Sequence, residues 1–456
     1  MVVHDHIGSQ SLAGSQGLVF KAALVSIAIL FGFQLWLVFT VNVNWDEFLF
    51  LSLVHDHVRG TLDRPVQTFH VHLFGWLTVL PVDEIGQVTA GRLVMLACEI
   101  GTASLIYCIA RQFVKPPIAL FGVLAFLTSK WTLTHGMSFR ADPLAAFLLM
   151  SSVYVLIASS LRTWQLAVAA VCGALAVMIT IKAALYLPVF AGAVIWRLRD
   201  RELRTTNVLR IGTAAAAGCA CLAALFFWHS GQVNAGSLAA TTSSTGDAFR
   251  VTFSEQAFFP RKLAVGTWAY DSMLVLLLAA CGLLQRTFPR LVVLGLFVAP
   301  VLSVLFYRNA FSYFFPFIIP PAMVVAAVGT MFFAKWRFMP LGLIGFMMLA
   351  GGLEIRNAVE RNQIAQRETL GAVHAMFGEP VRYIDRSAMV GSFPRSGFFM
   401  STWGVEGYKR AGKPIFGDIL RTEKPVLVIT NTPTLYAAMH DEPMEKPERA
   451  LIAQDA

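Results

Sequence analysis

Apolar runs of about twenty residues recur along this chain, and that recurrence restricts it to folds that lipid can solvate. A bilayer core takes roughly 18–20 consecutive apolar residues per helical crossing. Candidate crossings lie near 18–41, 91–113, 116–131, 142–160, 164–181, 183–197, 208–229, 265–284, 291–306, 310–333 and 339–353. Charged residues make up 14% of the 456, against about 25% in an ordinary soluble domain, and mean hydropathy is +0.63. Inside hydrocarbon every backbone N–H and C=O must find its partner within the protein, which favours helices. The expected fold is therefore an α-helical polytopic membrane protein with about eleven transmembrane helices. The first apolar run is longer than the core of a secretory signal and lacks a small-x-small exit, so it reads as a retained span.

The short connectors supply an orientation. Arg111, Lys115, Arg162, Arg197, Arg199, Arg201, Arg204, Arg286, Arg290, Lys335 and Arg337 all fall on one side of such a bundle. Basic connectors face the cytoplasm, so the amino terminus reads as cytoplasmic, the carboxyl terminus as extracytoplasmic and the membrane as the plasma (inner) membrane. This bias also accounts for the net charge of +9. With no basic patch interleaved with aromatics, no nucleic-acid partner is expected. All six cysteines (Cys98, Cys108, Cys172, Cys219, Cys221 and Cys281) lie in apolar runs, which supports neither a disulfide framework nor a zinc site.

The outer side receives a loop at 42–90, short segments near 132–141 and 307–309, a longer one at 230–264, and the tail. The 42–90 loop mixes amphipathic and aromatic stretches (Phe48, Phe50, Phe69, Phe74, Trp76), as in helices lying in a membrane interface. From residue 354 the composition changes to a charged helical pattern followed by β-like runs at 381–384 and 425–430. The division read from this is a transmembrane catalytic domain at 1–353 and a small extracytoplasmic α/β domain at 354–456.

Chemistry-bearing residues gather at the outer boundary. Asn44-Trp45-Asp46-Glu47-Phe48 places two carboxylates where the first span emerges. Carboxylates are costly there and mark function, although Asn44 or Asp46 capping a helix would also explain them. Arg140-Ala141-Asp142-Pro143 opens the fourth span; Asp as cap and Pro at the first helical position account for Asp142 but not for Arg140. Lys182 is either a snorkelling lysine or a cation for a lipid phosphate. Tyr307 and Arg308 lie in an outer turn before Pro316, Pro320 and Pro321, where Arg308 is an interfacial anchor or a phosphate clamp. His55-Asp56-His57 and His70-Val71-His72 suggest a metal, with Asp46, His55 and His57 the weak candidate ligands. A His-x-His pair reaches one ion from extended backbone but diverges on a helix. A hard divalent ion, magnesium or manganese, held by carboxylates and substrate phosphate fits this loop better than zinc.

Taken in order, these motifs resemble the GT-C membrane glycosyltransferases, and among them the protein O-mannosyltransferases and lipid A aminoarabinose transferases. The resemblance rests on Asp46-Glu47-Phe48, Gly60 and Pro65, Gly75-Trp76-Leu77, Arg92-Leu93, Arg140 to Pro143, and Arg308 through Pro316 to Pro320. It covers about residues 20–335. Where many bacterial members carry Lys-Pro-Pro, this chain has His70-Val71-His72, and the tail matches no motif. The resemblance implies an inverting transfer of a hexosyl or pentosyl unit from a polyprenyl-phosphate sugar to a saccharide, lipid or protein acceptor. It implies Asp46 as base and Glu47 as its orienting partner or a metal ligand. Arg92, Arg140, Asp142, Lys182, Tyr307 and Arg308 are the implied substrate-binding residues. A transporter or flippase of lipid-linked saccharides is the rival class. It favours inverted repeats and charges at mid-membrane, and the sequence contains no repeat. If Arg308 clamps a phosphate, Arg308→Ala should raise the KM for donor about tenfold, the scale of one charge-assisted hydrogen bond. Steady-state kinetics with each substrate varied in turn should leave the acceptor KM nearly unchanged.

Overall fold

The computed structural model describes residues 3–63, 65–200, 202–233, 259–284, 288–334, 336, 338–385, 387–397 and 416–429. Arg201, Arg286, Lys335, Arg337, most of the 230–264 loop and the charged end at 441–456 lie outside these. By contacts the chain divides into two compact units: Met1–Thr40 with Arg64–Phe69 and Arg92–Arg361, and Val41–Asp63 with His70–Gly91 and Asn362–Ala456.

The first unit is helical. It holds α1 (Val3–Thr40), most of α4 (Glu84–Ala110), α5 (Pro116–Thr128), α6 (Thr132–His135), α7 (Ala141–Ala158), α8 (Thr163–Ile179), α9 (Leu187–Arg197) and α10 (Arg204–Gly231). After these come α11 (Lys262–Asp271), α12 (Met273–Leu283), α13 (Phe288–Val298), α14 (Phe315–Ile318), α15 (Pro320–Gly329) and α16 (Met339–Val359). Among the described residues, five helices are long and apolar enough to cross a membrane: Gly17–Thr40, Glu84–Ala110, Ala141–Ala158, Arg204–Gly231 and Met339–Val359. Two more crossings result if each bent pair is one span, Lys262–Asp271 with Met273–Leu283 (79°) and Ser312–Ile318 with Pro320–Phe332 (63°). The remaining apolar runs form shorter helices such as Pro116–Thr128 and Thr163–Ile179. The breaks have local causes. Pro320 and Pro321 cannot extend the preceding ladder, and Ser272 stands between the two limbs of the other pair.

α15 is buried along its whole length, packed on α5 and α12. With lipid on the outside, close backbone approach replaces the hydrophobic effect as the reason for helices to associate. Gly282 and Gly329 provide it: a Cβ on Gly329 would overlap the Leu278 carbonyl, and one on Gly282 the Val325 carbonyl.

The second unit combines the first long loop with the tail. It contains α2 (Trp45–Val58), α3 (Val71–Phe74) and a 3₁₀ turn at Gly75–Val79. From the tail come α17 (Ile364–Met376), β1 (Tyr383–Asp385), α18 (Phe416–Thr422) and β2 (Leu427–Ile429). β1 and β2 pair in parallel with Tyr383 opposite Leu427. Val41 bridges Asn362, and Gln366 bonds both the N–H and the C=O of Val43 at 2.8 Å. Arg59 bonds Asp56 at 2.7 Å and the Ser392 carbonyl at 2.9 Å, while Glu84 meets Ser392 and, at 3.0 Å, His374. Leu73, Trp76 and Val79 are exposed at every third position while Val71, Phe74 and Leu77 are buried, the single-sided pattern a 3₁₀ turn produces.

The boundary read at 353/354 falls inside α16, which continues to Val359. The cue was the change of composition from residue 354, yet Glu354 itself is buried within the helix bundle. The α12–α15 seam makes a clear prediction. Gly329→Val should destabilise by about 1–3 kcal/mol, the usual penalty of overpacking, seen as a lower midpoint of thermal unfolding in detergent.

Candidate active site

In the first unit, α7 begins at Arg140, whose backbone is extended (φ −140°, ψ 168°) and caps the helix. Asp142 is thus the second helical residue and not the cap, so the helix start does not occupy its carboxylate. Instead Oδ2 accepts from Arg140 Nε at 3.3 Å, and Oδ1 accepts from Lys182 Nζ. Lys182 lies on a 3₁₀ turn (Ile181–Tyr186) capped by Thr180, whose hydroxyl accepts the Lys182 N–H at 3.3 Å. Arg140, Asp142 and Lys182 are 6%, 4% and 6% exposed. A snorkelling lysine would reach water; this one is buried against a carboxylate.

The segment after α13 closes over these charges. The Arg140 guanidinium sits 3.5 Å from the Tyr313 ring centroid, and Lys182 Nζ lies 5.7 Å from Tyr313 and 5.4 Å from Phe317. Aromatic faces favour such cations, more strongly when water is excluded. Tyr307 is buried and stacked on Phe314 (4.3 Å, 16°). Burial, then the neighbouring Tyr313 and Asp142, pushes its hydroxyl well above the ordinary tyrosine range, so it stays a hydrogen-bond donor. The Arg308 carbonyl accepts from Arg261 Nε at 3.2 Å, and the Arg261 guanidinium lies 4.2 Å from the Phe311 ring. Arg92 is buried and reaches the Val38 carbonyl at 3.4 Å. Two buried cations therefore share one carboxylate beside a hydroxyl donor. The N–H and O–H donors gathered here suit an anion with several oxygens.

In the second unit, Asn44 caps α2: its side-chain oxygen accepts the Asp46 N–H at 3.0 Å, and Glu47 Oε2 accepts the Asn44 N–H at 2.9 Å. This reciprocal capping box gives the buried Glu47 a structural task and fixes the half-buried Asp46 in the first helical turn.

The histidines do not make the metal set read from sequence. His55 Nε2 bonds Gln87 Oε1 at 2.9 Å, and burial lowers its pKa. The His57 ring meets His72 at 4.6 Å, and His70 packs on Phe50 at 4.4 Å. Among the described residues no three His, Cys, Asp or Glu side chains converge on one point. The reason is helical: on α2, positions 55 and 57 point in divergent directions. Asp46, His55 and His57 therefore do not form one ligand set.

Sequence reading passed over Tyr313, Phe317, Arg261, Gln34, Glu99 and Glu354. Polar residues inside apolar runs were the available signal for the last three.

Neither a protein-family profile nor a curated protein sequence matches this chain. Solved structures do match. ArnT from Cupriavidus metallidurans bound to undecaprenyl phosphate superposes with a TM-score of 0.57 at 13% identity, covering 93% of this chain and 88% of that one. Its apo form gives 0.60 at 12%, covering 91% and 94%. The apo oligosaccharyltransferase of Archaeoglobus fulgidus gives 0.54 at 12%, covering 94% and 72%. The chain thus has the fold implied by its resemblance to the GT-C enzymes.

The buried triad yields a stability prediction. Asp142→Asn removes the buried negative charge that Arg140 and Lys182 both bond and should cost about 3–5 kcal/mol, the usual penalty for breaking a buried pair from one side. Denaturant or thermal unfolding of the purified protein in detergent would measure it.

Proposed function

We propose that the protein is a membrane glycosyltransferase that moves a sugar from a polyprenyl-phosphate donor to an acceptor hydroxyl on the extracytoplasmic face, with inversion. The observation that carries this reading is the buried Arg140–Asp142–Lys182 group under Tyr313. It is a buried, water-poor group of cationic donors in a fold shared with an enzyme solved with undecaprenyl phosphate.

Asp46 is the base: it takes the proton from the acceptor hydroxyl as that oxygen attacks the anomeric carbon. The bond from that carbon to the phosphate oxygen breaks, and the lipid phosphate leaves with the electron pair. A base of this kind contributes roughly 10²–10⁴-fold. The leaving phosphate gains charge, which Lys182 and Arg140 meet as preorganised cations, with Arg308 and Arg92 as further cations for the donor. The Tyr307 hydroxyl, held protonated, donates to a phosphate oxygen. Asp142 keeps the two cations aligned in the empty state, and Glu47 holds the helix start that carries Asp46. The acceptor is a saccharide, lipid or protein, and the transferred unit is a hexose or pentose. The arrangement in the plasma membrane is eleven crossings, with the amino terminus in the cytoplasm and the carboxyl terminus outside.

A transporter or flippase of lipid-linked saccharides is the second reading, favoured by the two bent helix pairs, since transporters build substrate sites at broken helices. Transfer of labelled sugar from a panel of polyprenyl-phosphate sugars, in detergent without a second compartment, separates the two. Asp46→Asn, checked for equal insertion, should lower turnover by about 10²–10⁴-fold. Near-normal turnover would remove Asp46 as base. Absence of transfer with every donor, alongside lipid movement in vesicles, would replace the enzyme by the transporter.

A further inference from the structure

Gln34 on α1, Glu99 on α4 and Glu354 on α16 lie in helices apolar enough to cross the membrane, yet are 0%, 2% and 6% exposed. Ionisable groups at such depth are costly and point to function. Their bonds converge on one short stretch between α5 and α7. Gln34 Nε2 lies 3.0 and 2.9 Å from the two Glu99 oxygens, and 3.4 and 3.3 Å from the carbonyls of Thr132 and Leu133. Glu354 Oε1 accepts from the Thr134 hydroxyl at 3.3 Å. From the other flank, Ser272 Oγ accepts the Lys130 N–H at 3.1 Å and pairs with Ser129 Oγ at 3.2 Å, while Lys130 Nζ meets Asp271 at 2.9 Å.

The stretch held this way is strained. Trp131 has φ +69°, a left-handed conformation that a bulky residue keeps only where its surroundings impose it. At Gly136 a Cβ would overlap the Glu99 carboxylate, so chain and carboxylate are in direct contact there. Four residues later come Arg140, whose N–H bonds the Ser138 carbonyl at 2.7 Å, and then Asp142. Glu99, Gly136, Asp142, Pro143 and Phe317 line one water-sized cavity, so the intramembrane carboxylate and Asp142 face the same small space. Gln34 Oε1, Thr132 Oγ1 and Glu354 Oε2 are buried with no hydrogen-bond partner among the described residues. Apolar side chains would fill this volume without that penalty, which marks the network as one kept for geometry.

We propose that Gln34 and Glu99 are positioning residues for the phosphate-binding group: they fix the 131–140 turn so that Arg140 and Asp142 present themselves to Lys182. This rests on the glycosyl-transfer reading. Neither side chain touches substrate; they act through the carbonyls of Thr132 and Leu133 and through Gly136.

The test uses the full chain in detergent with three variants, Glu99→Leu, Gln34→Leu and the near-isosteric Glu99→Gln. The readouts are hydrogen exchange of peptides spanning 129–142, direct binding of polyprenyl phosphate, and turnover at saturating donor. The Leu variants should exchange at least tenfold faster in that stretch and bind polyprenyl phosphate about tenfold more weakly, and turnover at saturation should fall as well, because Arg140 also meets the charge on the leaving phosphate. Glu99→Gln, which can still pair with Gln34 and fill the space beside Gly136, should stay within about threefold of wild type in affinity. Unchanged exchange would overturn the clamp, whatever the protein's activity. Faster exchange with wild-type affinity, or Glu99→Gln as impaired as Glu99→Leu, would overturn the positioning role. A wild-type protein that does not bind polyprenyl phosphate would overturn the glycosyl-transfer reading and this proposal with it.

Discussion

Lys182, Arg140 and Asp142 are buried together, and much of the first unit can be understood from what that burial requires. An isolated ammonium or guanidinium away from water is untenable, so each cation needs the shared carboxylate and an aromatic face. The carboxylate in turn must sit in a helix whose start leaves it unoccupied. Arg140 takes the cap position itself through its extended backbone, which frees Asp142 to serve the cations. Tyr313 and Phe317 arrive from the far side of a proline-broken helix pair. The break that interrupts the apolar run thus also brings the aromatic faces to the charge.

The second unit is governed by a different constraint, backbone groups at the ends of short elements. Asn44 and Glu47 satisfy the first N–H groups of α2 between them. Gln366 satisfies both backbone groups of Val43, and Gln363 the Val41 carbonyl at 2.9 Å. Arg59 gathers carbonyls from the 391–393 loop. These are polar, directional bonds made by side chains widely separated in sequence. They add to a buried apolar set that includes Phe48, Leu51, Val54, Phe74, Ile384 and Phe393.

The fold was legible where its cause is local. Apolar runs, basic connectors and the order of a few motifs led to a membrane-embedded helical bundle of the kind ArnT has. The grouping of Arg140, Asp142 and Lys182 was legible only in part: each residue stood out beside a helix end, but their mutual pairing depends on how α7 and the turn after α8 pack. Asp142 in particular had a complete local explanation as a cap, and the structure replaces that explanation. The metal set failed for the opposite reason. His55 and His57 are close in sequence, and only the helical period separates them. Gln34, Glu99 and Glu354 were invisible to hydropathy because one polar residue barely changes the average over a span.

The pairing of the first loop with the tail carries a consequence for biosynthesis. Val41, Val43 and Arg59 are translated early, whereas the groups they bond, Gln363, Gln366 and the 391–393 carbonyls, emerge about three hundred residues later. Long-range contacts of this separation form late. The second unit can therefore close only after the whole helical frame has been threaded into the bilayer. Until then Asp46 stands on a helix whose far partners do not yet exist. Completion of the carboxylate-bearing unit becomes a report that synthesis has passed the 391–393 loop, and a product cut short before it would carry the motif without these partners.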